Sequence, residues 1–240
     1  MSGPPDRDPD RRGLRRLGLL AAGFLIVAVV VAPLAVLVRG RWQPLVDLDA
    51  ATASAARSSG LDSVAGVLTW LGAPVVVELA AACLGLWLLR AGRNRSVLYL
   101  VAAVGGGQLL SVAAKAAVHR VRPCAAVLGG HVAHCPASYS FPSGHAVAAA
   151  LGYVAMAVVL VPAAPDALRR LMVAAAVVVP LVVAATRVLL GVHYLTDVLA
   201  GLALGWGWVA VCTGAFARWR AEEGRPARPL RDGVDPAPVR

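Results

Sequence analysis

The chain has 240 residues, 59% of them hydrophobic and only 15% charged, and its mean hydropathy is +0.71. That is too apolar for a water-soluble domain of ordinary composition, so the chain is read as an integral membrane protein. The net charge of +10 does not point to nucleic acid, because the arginines flank apolar runs instead of gathering on one basic surface.

Residues 1–16 are rich in Pro, Arg and Asp, cannot bury apolar area, and are expected to form a disordered cytoplasmic tail. The uncharged run over 17–38 is the first predicted span, since about 20 residues at 1.5 Å rise cross a hydrocarbon core of roughly 30 Å. It follows a basic stretch like that of a signal peptide. The run is too long for one, however, and no small-residue cleavage site precedes Arg39, so it is expected to be an anchor. Residues 42–68 mix polar and apolar character and are predicted to be an external segment with a short amphipathic helix at the interface.

Five further spans are predicted over 70–89, 97–114, 146–161, 171–190 and 198–217, and residues 218–240 read as a second disordered cytoplasmic tail. The long unalternating Ala, Val and Leu runs suit helices, not barrel strands, because backbone groups in lipid must pair internally. The expected fold is all-α, a six-transmembrane-helix bundle over residues 17–217. Arginines at 7, 11, 12, 15 and 16, at 90, 93 and 95, at 169 and 170, and at 218, 220, 225 and 228 mark alternate span ends. The positive-inside rule makes those ends, and both termini, cytoplasmic.

On this count the end of the third span, the start of the fourth, the end of the fifth and the start of the sixth share the extracytoplasmic face. They carry Lys115, His145, Arg187 and His193. Ionisable residues in such segments are costly and are read as functional by default. Pro142-Ser143-Gly144-His145 opens a predicted helix, whose free N–H groups and positive dipole end favour an anion. Gly144 lets a phosphate approach the backbone, and Ser143 adds a hydroxyl donor. Lys115, Arg122 and Arg187 supply charge to hold a phosphate and to balance what develops on its oxygens during transfer. His193 and Asp197, four apart, share a helix face, so the carboxylate can hold one ring nitrogen and leave the other free to attack. His145 remains as proton donor to the leaving oxygen.

Lys115-x6-Arg122-Pro123, Pro142-Ser143-Gly144-His145 and Arg187-x5-His193-x3-Asp197 together resemble the three-part signature of the type 2 phosphatidic acid phosphatase (PAP2) superfamily. Residues 68–72, Leu-Thr-Trp-Leu-Gly, are also similar to family members. One departure is Thr186 before Arg187, where the family usually has serine; the hydroxyl is kept. The resemblance implies a six-helix membrane phosphatase without metal or other cofactor, acting through a phosphohistidine on His193. On it His145 protonates the leaving group and then activates water, Asp197 orients His193, and Lys115, Arg122, Ser143, Gly144 and Arg187 hold the phosphate. The family's soluble vanadium haloperoxidases are a poor match for six lipid-spanning segments.

His119 and Arg120 lie outside the matched positions and are expected to be solvated loop residues. Cys124 and Cys135 flank a loop facing the oxidising side, where a disulfide is expected; with His131 and His134 they match no closed zinc pattern. Cys83 and Cys212 are expected to pack within helices. Glu78, inside the second span, either lines the site or makes an interhelical hydrogen bond. Gly105, Gly106 and Gly107 permit close helix contact.

The expected activity is hydrolysis of a lipid phosphate or pyrophosphate at the outer leaflet of the cell membrane. By family analogy an undecaprenyl-type pyrophosphate ranks first, followed by phosphatidic acid and phosphatidylglycerol phosphate. The alternatives are a lipid phosphotransferase and a non-catalytic phospholipid-binding or translocating protein. The expected partners are the lipid substrate and the bilayer, with no nucleic acid and no assigned oligomeric state.

Overall fold

The computed structural model describes residues 21–126, except 22 and 24, and residues 135–222. Both expected tails lie outside these residues, apart from 218–222, as do His131 and His134. Every regular element among the described residues is helical. We number the helices α1 (Val29–Arg39), α2 (Gln43–Arg57), α3 (Asp62–Arg90), α4 (Asn94–Val118), α5 (Gly144–Ala163), α6 (Asp166–Leu189) and α7 (Leu195–Glu222).

The helices α3 to α7 are each long and apolar enough to cross a membrane, and α1 with α2 meets the same test as a pair bent by 93°. Arg41, in the left-handed region at φ 52°, makes that corner, and α2 restarts with proline in its first turn. The segment after the first span is therefore more regular than the sequence suggests. Helix α2 runs for 15 residues, and α3 starts at Asp62, not at residue 70. A 3-10 turn at Thr69–Gly72 and Pro74 mark where α3 tightens before its main apolar stretch. At the other end of the chain α7 stays helical past residue 217 to Glu222, there being no Gly or Pro to stop it until Gly224.

Helices α5 and α7 form the centre. Six consecutive α5 residues, Ala146 to Leu151, are fully buried, as suits a helix that is apolar on all sides. Gly201 and Gly205 of α7, a small-xxx-small pair, let the two backbones touch: a Cβ on Gly201 would lie 2.8 Å from the Ser143 carbonyl oxygen and 3.0 Å from Ala146 Cβ. This contact sets the first turn of α7 against the start of α5. Of the three glycines in α4, Gly106 and Gly107 face Trp208 and Leu151, while Gly105 has no neighbour within 4 Å. Large apolar residues such as Leu79, Leu109, Val112 and Leu171 are exposed on the outside of the bundle, where lipid covers them.

Cys212 belongs to the core, whereas Cys83 is on the outer surface, so its apolar surroundings are lipid and not packed protein. Glu78 accepts a hydrogen bond from Gln108 Nε2 at 2.9 Å, tying α3 to α4. Cys124 and Cys135 form a disulfide with Cα atoms 5.9 Å apart.

Candidate active site

The spacing in Arg187-x5-His193 follows from the way α6 ends. Gly191 adopts φ 63°, the left-handed turn that glycine takes without strain. The chain doubles back, and the N–H groups of Val192 and His193 both reach the Arg187 carbonyl, at 3.3 and 3.2 Å. His193 is thereby fixed beside the backbone of Arg187. Helix α7 begins immediately, with Asp197 in its first turn. The Asp197 carboxylate accepts the Tyr194 N–H at 2.9 Å, closing a capping interaction at the positive end of the helix.

His193 is buried, with Nδ1 3.5 Å from Asp197 Oδ2 and Nε2 2.8 Å from Arg122 Nη1. A guanidinium only donates, so Nε2 presents its lone pair and the ring proton sits on Nδ1, toward Asp197. Burial pushes this imidazole down to about 4; Asp197 opposes the shift, and Arg122 and Arg187 add to it. At neutral pH the ring is uncharged, with its lone pair on the side where the cations gather.

Three further elements bring those cations. Lys115, near the end of α4, donates to the carbonyls of Tyr139 at 2.9 Å and Pro142 at 2.7 Å. Arg122 donates through Nε to the Ser138 carbonyl and through Nη1 to the Val192 carbonyl, both at 2.8 Å, and through Nη2 to Ser138 Oγ at 2.9 Å. Its proton affinity is lowered first by burial. Arg187 donates from Nη1 to Thr69 Oγ1 at 2.8 Å, while its Nε is buried with no hydrogen-bond partner among the described residues. The same is true of Ser143 Oγ, at the N-terminus of α5. A Cβ on Gly144 would meet only Lys115 Cε, at 3.9 Å, so the space beside this helix start is open. His145 lies within electrostatic reach of Arg187, His193, Arg122 and Lys115.

The structure thus brings Lys115, Arg122, Ser143, Gly144, His145, Arg187, His193 and Asp197 to one end of the bundle. Lys115, Arg122 and Arg187 bring like charges to this end, and Arg187 Nε and Ser143 Oγ are buried donors without a partner among the described residues; such a set has the chemistry to hold a tetrahedral anion. Cys124 and Cys135 stand just outside, stapling the chain that follows Arg122 to the chain that leads into Ser138.

Sequence reasoning missed a set of supporting residues. Arg120 is not a solvated loop residue: its side chain is 13% exposed, with Nη2 2.7 Å from Asp49 Oδ2 and Nη1 2.8 Å from Asp197 Oδ1. It differs from His119, which is exposed and lies edge-on to Tyr139, because the chain turns at His119 (φ 55°) and sends the next side chain inward. Asp49, fully buried on α2, accepts from Thr196 N at 3.1 Å and Thr196 Oγ1 at 2.5 Å. Ser140 donates to Asp197 Oδ2. Thr69 lies in the 68–72 stretch singled out from the sequence, and its bond to Arg187 gives that stretch a physical role; none of the others had a spacing signal.

The model of the PAP2 superfamily matches residues 96–221. The chain is 35% identical over 156 residues to phosphatidylglycerophosphatase B of Bacillus subtilis (strain 168), a match covering 62% of this chain and 72% of that protein. Among solved structures it is similar to the crystal structure of a transmembrane PAP2-type phosphatidylglycerolphosphate phosphatase from Bacillus subtilis. That likeness has a TM-score of 0.67 at 26% identity and covers 89% of this chain and 98% of the other.

Proposed function

The chain belongs to the PAP2 superfamily and is a membrane lipid phosphatase, a phosphoric ester hydrolase, and from that premise we propose that it works through a phosphohistidine on His193. The single observation that carries this reading is the polarity of the imidazole: Nδ1 faces Asp197, and the Nε2 lone pair faces Arg122 Nη1, with Arg187 within electrostatic reach of the ring.

In the first step Nε2 attacks phosphorus, the bond from phosphorus to the lipid oxygen breaks, and His145, protonated once the bound phosphate offsets the cations around it, gives its proton to that oxygen. Asp197 stabilises the positive charge that appears on the His193 ring. Lys115, Arg122 and Arg187, with the N–H groups at the start of α5, hold the equatorial oxygens. Arg122 Nη1 caps Nε2 in this structure, so it passes from the imidazole to a phosphate oxygen as substrate binds. In the second step neutral His145 takes a proton from water, the water oxygen attacks phosphorus, and the P–Nε2 bond breaks to release phosphate.

For the head group, the named activity of the Bacillus subtilis relatives favours a lipid phosphomonoester of the phosphatidylglycerophosphate kind. The undecaprenyl-type pyrophosphate ranked first by sequence is the comparison substrate. An extracytoplasmic site is supported by Arg90, Arg93, Arg95, Arg169 and Arg170 at the opposite end of the helices, and by the disulfide at the site end.

The test is phosphate release by purified protein in detergent, with and without a chelator, from phosphatidylglycerophosphate, phosphatidic acid and an undecaprenyl-type pyrophosphate, together with an alkaline quench on a radiolabelled substrate. Expected are chelator-resistant turnover, fastest on phosphatidylglycerophosphate, and alkali-stable label on the wild type but not on His193→Ala. Undiminished turnover in His193→Ala refutes the mechanism, and preference for the pyrophosphate overturns the head-group assignment.

A further inference from the structure

Asp197 is backed by a chain of charges that continues away from the site. The Arg120 guanidinium bridges Asp197 and Asp49 at 2.8 and 2.7 Å, and both carboxylates are fully buried. Its Nη1 also reaches Thr196 Oγ1 at 2.7 Å, and its flat face rests on the Tyr194 ring, 3.9 Å from the centroid. Tyr194, Thr196 and Asp197, the first turn of α7 and the residue before it, are thus clamped from α2 and from the loop after α4.

The arithmetic of charge explains the need for a third member. A carboxylate paired with one guanidinium is close to neutral from a few ångströms away, so Asp197 with Arg120 alone would give the His193 ring little negative field. The second carboxylate returns one unit of negative charge, leaving Asp49, Arg120 and Asp197 together at −1. Oδ2 of Asp197 is left for His193 Nδ1, Ser140 Oγ and the Tyr194 N–H.

We propose that Asp49 and Arg120 are positioning residues for phosphoryl transfer, a buried carboxylate–guanidinium–carboxylate chain that fixes the Asp197 rotamer and sets the basicity of His193 through its net charge. The inference rests on the reading of His193 as nucleophile. The other charged groups that face this ring are Arg122 from the loop after α4, Arg187 from the end of α6, and His145 from the start of α5, with Lys115 of α4 beyond them. None of these changes in the variants below.

The test compares the acid limb of kcat/KM for phosphate release in detergent among wild type, Asp49→Asn, Arg120→Gln, Arg120→Lys and the double variant Asp49→Asn/Arg120→Gln. Substrate ionisation is common to all five. Arg120→Gln leaves the chain at −2, favours the imidazolium, and moves the limb up by roughly one to two pH units, the effect of a unit charge about 7–12 Å away at an effective dielectric of about 20. Asp49→Asn moves it down and lowers turnover at pH 7 by roughly tenfold as the nucleophile loses basicity. The double variant restores −1 and the wild-type limb, and Arg120→Lys keeps the limb while losing the bridge and some turnover. Variants that merely loosened the fold would all lose activity without opposite shifts. Limbs that stay put, that move the same way, or that fail to return in the double variant overturn the proposal. If one single variant does not fold, the shift of the other and its return in the double variant decide. Activity in His193→Ala, measured alongside, would instead remove the underlying reading.

Discussion

Arg122 connects to more of the site than any other cation, and its replacement separates two effects. Its fork holds the Ser138 and Val192 carbonyls at 2.8 Å and caps His193 Nε2 at the same distance. If the fork transfers two charge-assisted hydrogen bonds to the phosphate in the transition state, Arg122→Ala loses roughly 3–5 kcal/mol, or about 10²–10⁴ in kcat/KM. Arg122→Lys keeps the charge and one bond, so its loss is about 10–10²-fold. Arg122 also helps burial to hold the His193 ring down at about 4, so removing the guanidinium raises that value and moves the acid limb up in Arg122→Ala but little in Arg122→Lys. The assay is phosphate release from a lipid phosphomonoester between pH 4 and 8 in detergent, with melting temperature as the control for folding. A kcat/KM for Arg122→Ala within threefold of wild type, or an acid limb that does not move, would refute the placement of this fork on the phosphate.

Other expectations follow from the same geometry. Because the His193 pKa falls from 6.5 to about 4 on burial, the unfolded chain binds a proton between those values that the folded chain does not. Stability in detergent should decline as pH drops through that window, and His193→Gln should flatten the decline; an unchanged slope would contradict the buried neutral ring. The Cys124–Cys135 bridge closes a loop of sequence separation 11, so the double serine variant should lose roughly 3 kcal/mol in the chain-entropy picture and show lower turnover, with Arg122 two residues away. Melting curves that do not respond to reductant would count against it. Gly201→Ala should cost roughly 1–3 kcal/mol and reduce activity by pushing α7 off Ser143, since its Cβ would sit 2.8 Å from the Ser143 carbonyl oxygen. Gly66→Ala in α3, with no atom within 4 Å of the new Cβ, should be neutral or stabilising by about 0.5–1 kcal/mol. Equal effects at the two glycines would show that close packing of α5 on α7 is not what Gly201 serves.

The amino-acid sequence alone determined the membrane class, the all-helical architecture and the residues that bear charge into it, because long apolar runs and the rarity of ionisable groups within them are local properties. The order and spacing of Lys115, Arg122, the Pro142–His145 turn, Arg187, His193 and Asp197 are written in short stretches, each tied to a helix end, and so could be read directly. The corner at Arg41, the early start of α3 and the outward face of Cys83 depend on how helices meet one another or the lipid, and composition does not record that. Asp49 lies 71 residues from Arg120 and 147 from Thr196 in the chain. Before folding, Asp49 is one more acid in a surface-like helix and Arg120 one more arginine in a basic protein. Only the packing of α2 across the start of α7 removes them from water, and a buried charge must find a partner; that requirement pairs Arg120 with both Asp49 and Asp197.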